Sequence, residues 1–287
     1  MRVDIDFCTL DGIRLSAFMY LPEMTEGPFP AIVMSHGYGA VKEMALDQYA
    51  ESFCKAGFVC LLYDHRNTGA SEGTPRGEID PWQQISDMKD AITFLCARDE
   101  IDHERIGLWG TSFSGGHCLV VAATDRRVKC VVSVVPTISG RQNTQRARSS
   151  ADYRQFLEDL NAERVLRYQR KTPRMVPISK PGDESYEWSK VAGAGTTYVN
   201  ACTFLSLGYR DSYEPGHYIR AISPTPLLMI IADNDTKCLT DVQLAAYSNA
   251  HEPKALRLIP GGHYDPYTIQ FETVCSASRD WLVSWLT

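Results

Sequence analysis

The stretch Ile106–Leu119, IGLWGTSFSGGHCL, changes character in its middle. An apolar run stops at Gly110, Ser112 follows two positions later between small residues, and an apolar pattern suited to a helix resumes. Read as a strand turning sharply into a helix, the stretch pushes the Ser112 hydroxyl out at a corner where neighbouring backbone tolerates little bulk. Gly110 and Ser114 flank the serine two positions to either side, and Gly115 and Gly116 leave further room. The pattern G-x-S-x-G asks for glycine where Ser114 stands; the serine departs from it but keeps the position small.

Outward from that corner the chain alternates strand and helix patterns. On the N-terminal side, RVDIDFCTL and IRLSAFMYL run in period two around Asp11-Gly12, which predicts an antiparallel hairpin. AIVMS is short and wholly apolar, as befits a strand covered on both faces. MALDQYAESFCKAG reads as a helix stopped at Gly57, FVCLLYD as the next strand, and Ile85, Met88, Ile92 and Leu95 as one face of a helix starting near Pro81. VKCVVSVVP, PLLMIIAD and ALRLIP supply further strands beyond Ser112, and a last helix runs to Trp285. Such alternation implies a mostly parallel central sheet flanked by helices, an α/β fold with right-handed crossovers.

Between residues 137 and 223 the rhythm breaks. This part is rich in Arg, Gln, Ser and Tyr, carries the helix-like stretches SADYRQFLEDLNAERVLRYQRK and TYVNACTFLSLGYR, and has no strong strand. It reads as a mostly helical cap or lid inserted into a core formed by residues 1–136 and 224–287. Its apolar positions Phe156, Leu160, Leu166, Phe204 and Leu205 are expected to dock it and to wall a pocket. Tyr186, Trp188, Tyr198 and Tyr209 are expected to pack helices rather than line an acyl pocket.

Twenty-nine basic against 35 acidic residues leave a net charge of −6, which argues against nucleic acid or an anionic membrane surface as the main partner. The nine cysteines are odd in number and scattered, without a CxxC pair, and point to a reducing, cytoplasmic setting. No apolar run approaches membrane-spanning length, and MRVDIDFCTLDG lacks the apolar core of a signal peptide. The seven histidines show no metal-ligand spacing, so neither a metal nor a cofactor is expected.

A serine hydroxyl needs an adjacent base, and the base needs a carboxylate to orient it. On an α/β sheet these follow the serine in the order Asp, His at the ends of later strands. PLLMIIADND ends in Asp233 and Asp235, and ALRLIPGGHYD carries His263 on a glycine-rich loop. Of the histidines beyond the aspartates, His251 falls in a connection at the opposite edge, which leaves His263 as the base. Asp235, past the strand end, is preferred as its partner, with Asp233 tying down the loop. Oxyanion donors are expected in the backbone N–H groups of Phe113, next to the serine, and Tyr38, in the loop SHGYGA. Asp64, His65 and Arg66 read as loop-bracing residues.

Together MSHGYGAVKE, YDHRNTGASEG, WGTSFSGG, ISPTPLLMIIADND and PGGHYDPY make the chain similar to the α/β-hydrolase superfamily. Within it the chain resembles the dienelactone-hydrolase-like group that includes fungal polyketide thiohydrolases and acyl transferases. The resemblance implies a catalyst that works through a serine acyl-enzyme, with Ser112, Asp235 and His263 as the triad. The expected substrate is a small-molecule ester or thioester, the acyl group riding on a carrier protein or CoA in the latter case. Hydrolysis is the first expectation, with acyl transfer to an alcohol or amine as the alternative. A lyase or cyclase, or a binding protein, on the same fold is the alternative of another class.

Overall fold

The computed structural model describes residues 1–23 and 27–287. Its centre is an eight-stranded sheet in the order β1-β2-β4-β3-β5-β6-β9-β10. The hairpin comes first: β1 (Arg2–Cys8) pairs antiparallel with β2 (Arg14–Tyr20), which also pairs antiparallel with β4 (Val59–Tyr63). Every other pairing in this sheet is parallel, linking β3 (Phe29–Ser35), β5 (Ile101–Thr111), β6 (Val128–Val134), β9 (Leu227–Ala232) and β10 (Lys254–Ile259).

The central strands read as unbroken apolar runs because both faces are covered, and the period of two sends alternate residues to different layers. Ala31, Val33 and Leu108 face one cluster with Ile85, Met88, Leu119 and Val242, contributed by α2 (Pro81–Cys96), α3 (Phe113–Thr124) and α8 (Thr240–Asn249). Ile32, Met34 and Trp109 face the other, with Tyr49, Phe53, Val274 and Leu282 from α1 (Asp47–Lys55) and α9 (Phe271–Leu286). Each such side chain taken fully out of water contributes about 1.5–3 kcal/mol. One boundary differs in detail from the sequence reading: helix α1 starts at Asp47 rather than near Met44, because Ala45 bends the chain before it at φ +61°. Helix α2 begins where expected: Pro81 occupies its first turn and the Asp80 carboxylate caps it by accepting from Trp82 N–H at 2.9 Å.

Helix α1, after β3, and α2, after β4, cover opposite faces, so the winding of the sheet reverses beside β3. A crevice opens at the carboxyl ends of the strands where such a reversal occurs. The loop after β3 and the corner after β5 therefore face each other there, since β3 and β5 are hydrogen-bonded neighbours with Ser35 opposite Gly110.

Between β6 and β9 lie α4 (Gly140–Arg146), α5 (Ser150–Tyr168), α6 (Glu184–Ala192) and α7 (Phe204–Asp211). The sequence showed no strong strand here, and β7 (Met175–Val176) and β8 (Cys202–Thr203) form a short antiparallel pair, too brief to leave a periodic signature. Phe156, Leu160, Phe204 and Leu205 make a separate apolar nucleus, whereas Leu166, expected to dock, is exposed. The segment is tied to the rest of the chain by Thr203 N–H donating to Gly77 C=O at 3.0 Å, Ile79 N–H donating to Ser206 Oγ at 2.8 Å, and an ion pair between Arg167 and Glu78 at 2.7 Å.

Asp64, His65 and Arg66 follow β4, and Asp64 and Arg66 brace loops through ion pairs. Lys42 Nζ lies 2.7 Å from Asp64, and Arg66 grips the fully buried Asp87 through Nε at 2.7 Å while also reaching Asp11 at 2.9 Å. Burial pushes the Asp87 carboxyl up to about 6 in spite of its guanidinium partner. Replacing Arg66 would strand that charge. Arg66→Leu is expected to cost about 3–5 kcal/mol in denaturant unfolding, and the double variant with Asp87→Leu to recover most of it.

Candidate active site

Ser112 sits between β5 and α3 at φ +57°, ψ −118°, a left-handed conformation uncommon for a side chain. Two backbone bonds hold it there: Ser112 N–H donates to Val134 C=O at 2.8 Å, and Thr137 N–H donates to Ser112 C=O at 2.9 Å. The corner needs its glycines. A Cβ on Gly110 would lie 2.4 Å from the Ser114 carbonyl oxygen, and one on Gly37 would lie 3.1 Å from Ser112 Cβ. The loop after β3 therefore passes the serine in close contact.

The two partners expected for the serine reach it from later loops. His263 Nε2 is 2.9 Å from Ser112 Oγ, and His263 Nδ1 is 2.8 Å from Asp235 Oδ2. Asp235 is buried and also accepts from the N–H groups of Lys237 at 2.8 Å and Cys238 at 2.9 Å, and from Gln243 at 3.2 Å. Burial works against its charge, but the histidine and these donors outweigh it and hold the carboxyl below its ordinary value. For His263, burial favours the neutral ring; the Asp235 charge overcomes this and raises the imidazole well above its usual range. Asp233 stands apart and accepts from Gly261 N–H at 2.9 Å, which ties the loop bearing His263 to the end of β9.

Among the described residues, Asp235, Cys238 and His263 form the one group whose ligand-type atoms cluster closely, within 4.8 Å. The Asp235 oxygens are already engaged by four donors, so the group is organised as a hydrogen-bonded relay.

Phe113 is the first residue of α3, where a helix leaves its N–H groups without intrahelical partners. Tyr38 lies across from it, the two rings meeting edge to face at 5.1 Å. Both residues line the same cavity as Ser112. The sequence reading treated Ser114 only as a small residue; the structure makes it a junction. Its buried hydroxyl donates to His36 C=O and sits 3.1 Å from Ser35 Oγ and 2.9 Å from His65 Nε2. It thereby fastens the loop His36–Tyr38 to α3.

The cavity has a volume of about 740 Å³, within the range of small-molecule sites. Trp188 lines it and stacks on Tyr264 at 4.9 Å, whereas Tyr186, Tyr198 and Tyr209 lie outside its wall. Of the apolar residues expected to wall it, Phe204 does so; the other contacts on that side come from Val176, Ile178 and Leu207. Sequence reasoning missed the cations: Arg148, Arg174, Lys180, Arg210 and Lys237 all face the cavity, against a single acidic residue, Asp183, among the described residues. Arginines in a polar, helical stretch carry no periodic signal that would set them apart from a solvated face.

A serine at the corner after the fifth strand, within a mostly parallel sheet layered by helices on both faces, defines an α/β hydrolase. The family profile of the X-Pro dipeptidyl-peptidases (S15 family) matches residues 11–265, and the chain belongs to this α/β-hydrolase family. A thiohydrolase of Aspergillus aculeatus, aneE, is 35% identical over 88% of this chain and 83% of its own length. A polyketide transferase of a Penicillium species, grgF, is 30% identical over 98% of this chain and 96% of its own. The crystal structure of the Penicillium α/β hydrolase GrgF superposes with a TM-score of 0.87 and 29% identity, covering 100% of this chain and 99% of that one. The protein is an enzyme of the serine-hydrolase type.

Three further histidines, His36, His65 and His117, are buried behind the serine corner. Burial holds all three imidazoles below their ordinary value, His65 well below it and His117 at about 3. The native protein keeps them neutral while the unfolded chain protonates them below pH ~6.5. Unfolding then takes up protons, so stability is to fall as pH drops below about 6.5. Each histidine contributes up to ~1.4 kcal/mol per pH unit. Denaturant unfolding from pH 7 to 5 is expected to show this slope, and His117→Gln to reduce it by about one proton.

Proposed function

We propose that this enzyme cleaves an acyl thioester through a covalent acyl-enzyme on Ser112. The acyl group is of polyketide type, as in the name of the Penicillium transferase, and arrives on a carrier protein or CoA. The observation that carries the reading is the unbroken run Ser112–His263–Asp235 with its bonds of 2.9 and 2.8 Å, opening into a cavity that holds the two candidate oxyanion amides.

In the first half-reaction Ser112 Oγ bonds to the acyl carbon, its proton passes to His263 Nε2, and the carbonyl π pair moves onto oxygen. The N–H groups of Tyr38 and Phe113 receive that oxyanion. Collapse restores the carbonyl and breaks the C–S bond, and the departing thiolate takes the proton from His263. In the second half-reaction His263 removes a proton from the acceptor as it attacks the acyl carbon; collapse breaks the bond to Ser112 Oγ, which takes the proton back from His263. Asp235 keeps the proton of His263 on Nδ1 throughout, so that Nε2 faces the serine as acceptor. Water as acceptor gives hydrolysis; an alcohol or amine gives transfer. Residues 137–223 act as the cap over this site, supported by the contribution of Arg148, Val176, Trp188, Phe204 and Arg210 to the cavity wall. The nine cysteines, none of them paired, suit a reducing, cytoplasmic setting. No helix among the described residues is long and apolar enough to cross a membrane.

Ser112→Ala is expected to abolish covalent labelling by a fluorophosphonate and to lower turnover by about 10⁶-fold, as loss of a serine nucleophile does elsewhere. Labelling that survives the substitution would remove Ser112 from the role.

The pH profile tests the histidine. His263 accepts a proton only when neutral, and Asp235 raises its affinity for protons. The acid limb of kcat/KM is therefore to lie on the alkaline side of ~6.5, with activity lost as pH falls through it. Asp235→Asn leaves burial as the dominant influence; it is expected to move the limb to lower pH and to cut turnover by roughly 10⁴-fold. An unmoved limb would exclude the pairing.

A further inference from the structure

The cavity wall carries more positive charge than the triad requires. Arg148, just beyond α4, and Arg210, near the end of α7, are both half-buried in it. Each guanidinium lies against an aromatic face: Arg148 Cζ is 4.7 Å from the centroid of Phe156, and Arg210 Cζ is 5.0 Å from that of Tyr38. Neither has a carboxylate within 4.0 Å among the described residues, in contrast to Arg174, which lies 3.6 Å from Asp159. The Arg148 side chain donates once, to Thr144 C=O at 3.3 Å, and Arg210 makes no side-chain hydrogen bond among the described residues. The two also feel each other: burial first and the charge of Arg210 second hold the Arg148 guanidinium below its ordinary value.

Two like charges brought together, partly desolvated and unpaired, are unfavourable in the empty protein. Their aromatic faces fix the planes of the guanidiniums and leave the N–H edges unspent. Such edges match the two oxygens of a carboxylate or phosphate, in bonds about twice as strong as neutral ones.

We propose that Arg148 and Arg210 form an anion-binding subsite of the active-site cavity and select substrates that carry a carboxylate or phosphate. The position favours an anion close to the reacting carbonyl. Arg210 rests on the ring of Tyr38, and that ring packs on Phe113, the residue next to Ser112. A carboxylate on the acyl chain would reach it, and so would a phosphate on a folded pantetheine arm. The inference builds on the acyl-enzyme reading above and names what its substrate must carry.

Three thioesters of one acyl length test it: pentanoyl-N-acetylcysteamine, which is neutral; glutaryl-N-acetylcysteamine, with a terminal carboxylate; and pentanoyl-phosphopantetheine. The wild-type enzyme is expected to prefer at least one anionic thioester by about 10- to 100-fold in kcat/KM, mostly through KM. Arg148→Gln and Arg210→Gln are each expected to lower that preference about tenfold. A preference confined to the glutaryl compound puts the anion on the acyl chain, and one confined to phosphopantetheine puts it on the leaving thiol; both support the subsite. Equal rates on all three, or an unchanged preference in both variants, overturns the subsite while turnover of the neutral thioester leaves the acyl-enzyme reading standing.

Absence of both turnover and Ser112 labelling would sink that reading instead. The subsite is then decided by binding of pentanoate, which carries a carboxylate, against neutral pentanamide, followed through the tryptophan fluorescence of the protein. Tighter binding of pentanoate that is lost in Arg210→Gln keeps it, and equal binding removes it.

Discussion

The narrow passage between β5 and α3 is the constraint on which the rest of the site depends. Ser112 holds a left-handed backbone there, and the helix after it can start only because Gly110 and Gly37 present no side chains to the turn. A relaxed turn would carry the hydroxyl away from His263, and a bulkier residue at position 37 would push the opposing loop off the serine. Bonds to Val134 and Thr137 from the corner itself hold the strained residue in register with the sheet. The reactive geometry is thus a property of the sheet edge, and the loops with His263 and Asp235 are positioned against it.

Ser114 shows how a departure from a glycine pattern can be absorbed. Its hydroxyl spends its proton on His36 C=O, so Ser35 and His65 must supply the hydrogens that point at Ser114 Oγ. That assigns the proton of His65 to Nε2. The remaining nitrogen, Nδ1, has no partner among the described residues, and a bare acceptor there is compatible with the neutral ring that burial enforces. A protonated ring would have to bury a charge and an extra donor with nowhere to send it. The neutral histidines are what allow a hydroxyl in a position that glycine fills in the standard turn, and they couple the stability of this region to pH.

How much of this was legible in the sequence follows from which signals are local. Unbroken apolar strands, the serine corner and the order Ser, Asp, His are written in consecutive residues, and the fold was readable from them. The preference for Asp235 over Asp233 rested on a local fact, that Asp235 lies past the end of β9 where the chain is free to turn; in the structure Asp235 bonds to His263 and Asp233 to Gly261. Tertiary facts were not readable. Leu166 carries an apolar side chain at helical spacing yet ends up exposed, because α5 turns another face inward. The pair β7–β8 is two residues long on each side, below the length at which alternation can be seen. His65 and Ser114 lie 49 positions apart, and no pattern announces that they share a hydroxyl.

Charge is where the sequence average misleads most. A net charge of −6 describes the whole surface, but at physiological ionic strength charges beyond about 8 Å are largely screened from one another. A molecule entering the cavity meets Arg148, Arg210 and Lys237 on its wall, where low-dielectric surroundings strengthen their field. The net acidic charge is then a matter of solubility, and in the proposed subsite the sign that counts for recognition is set by Arg148 and Arg210, on the segment between β6 and β9. Those side chains lie far from Ser112 in sequence and reach it only through folding. On the proposed reading, a change in that segment alters which acyl group is accepted without touching the strand ends assigned to the chemistry, which separates specificity from catalysis along one sheet edge.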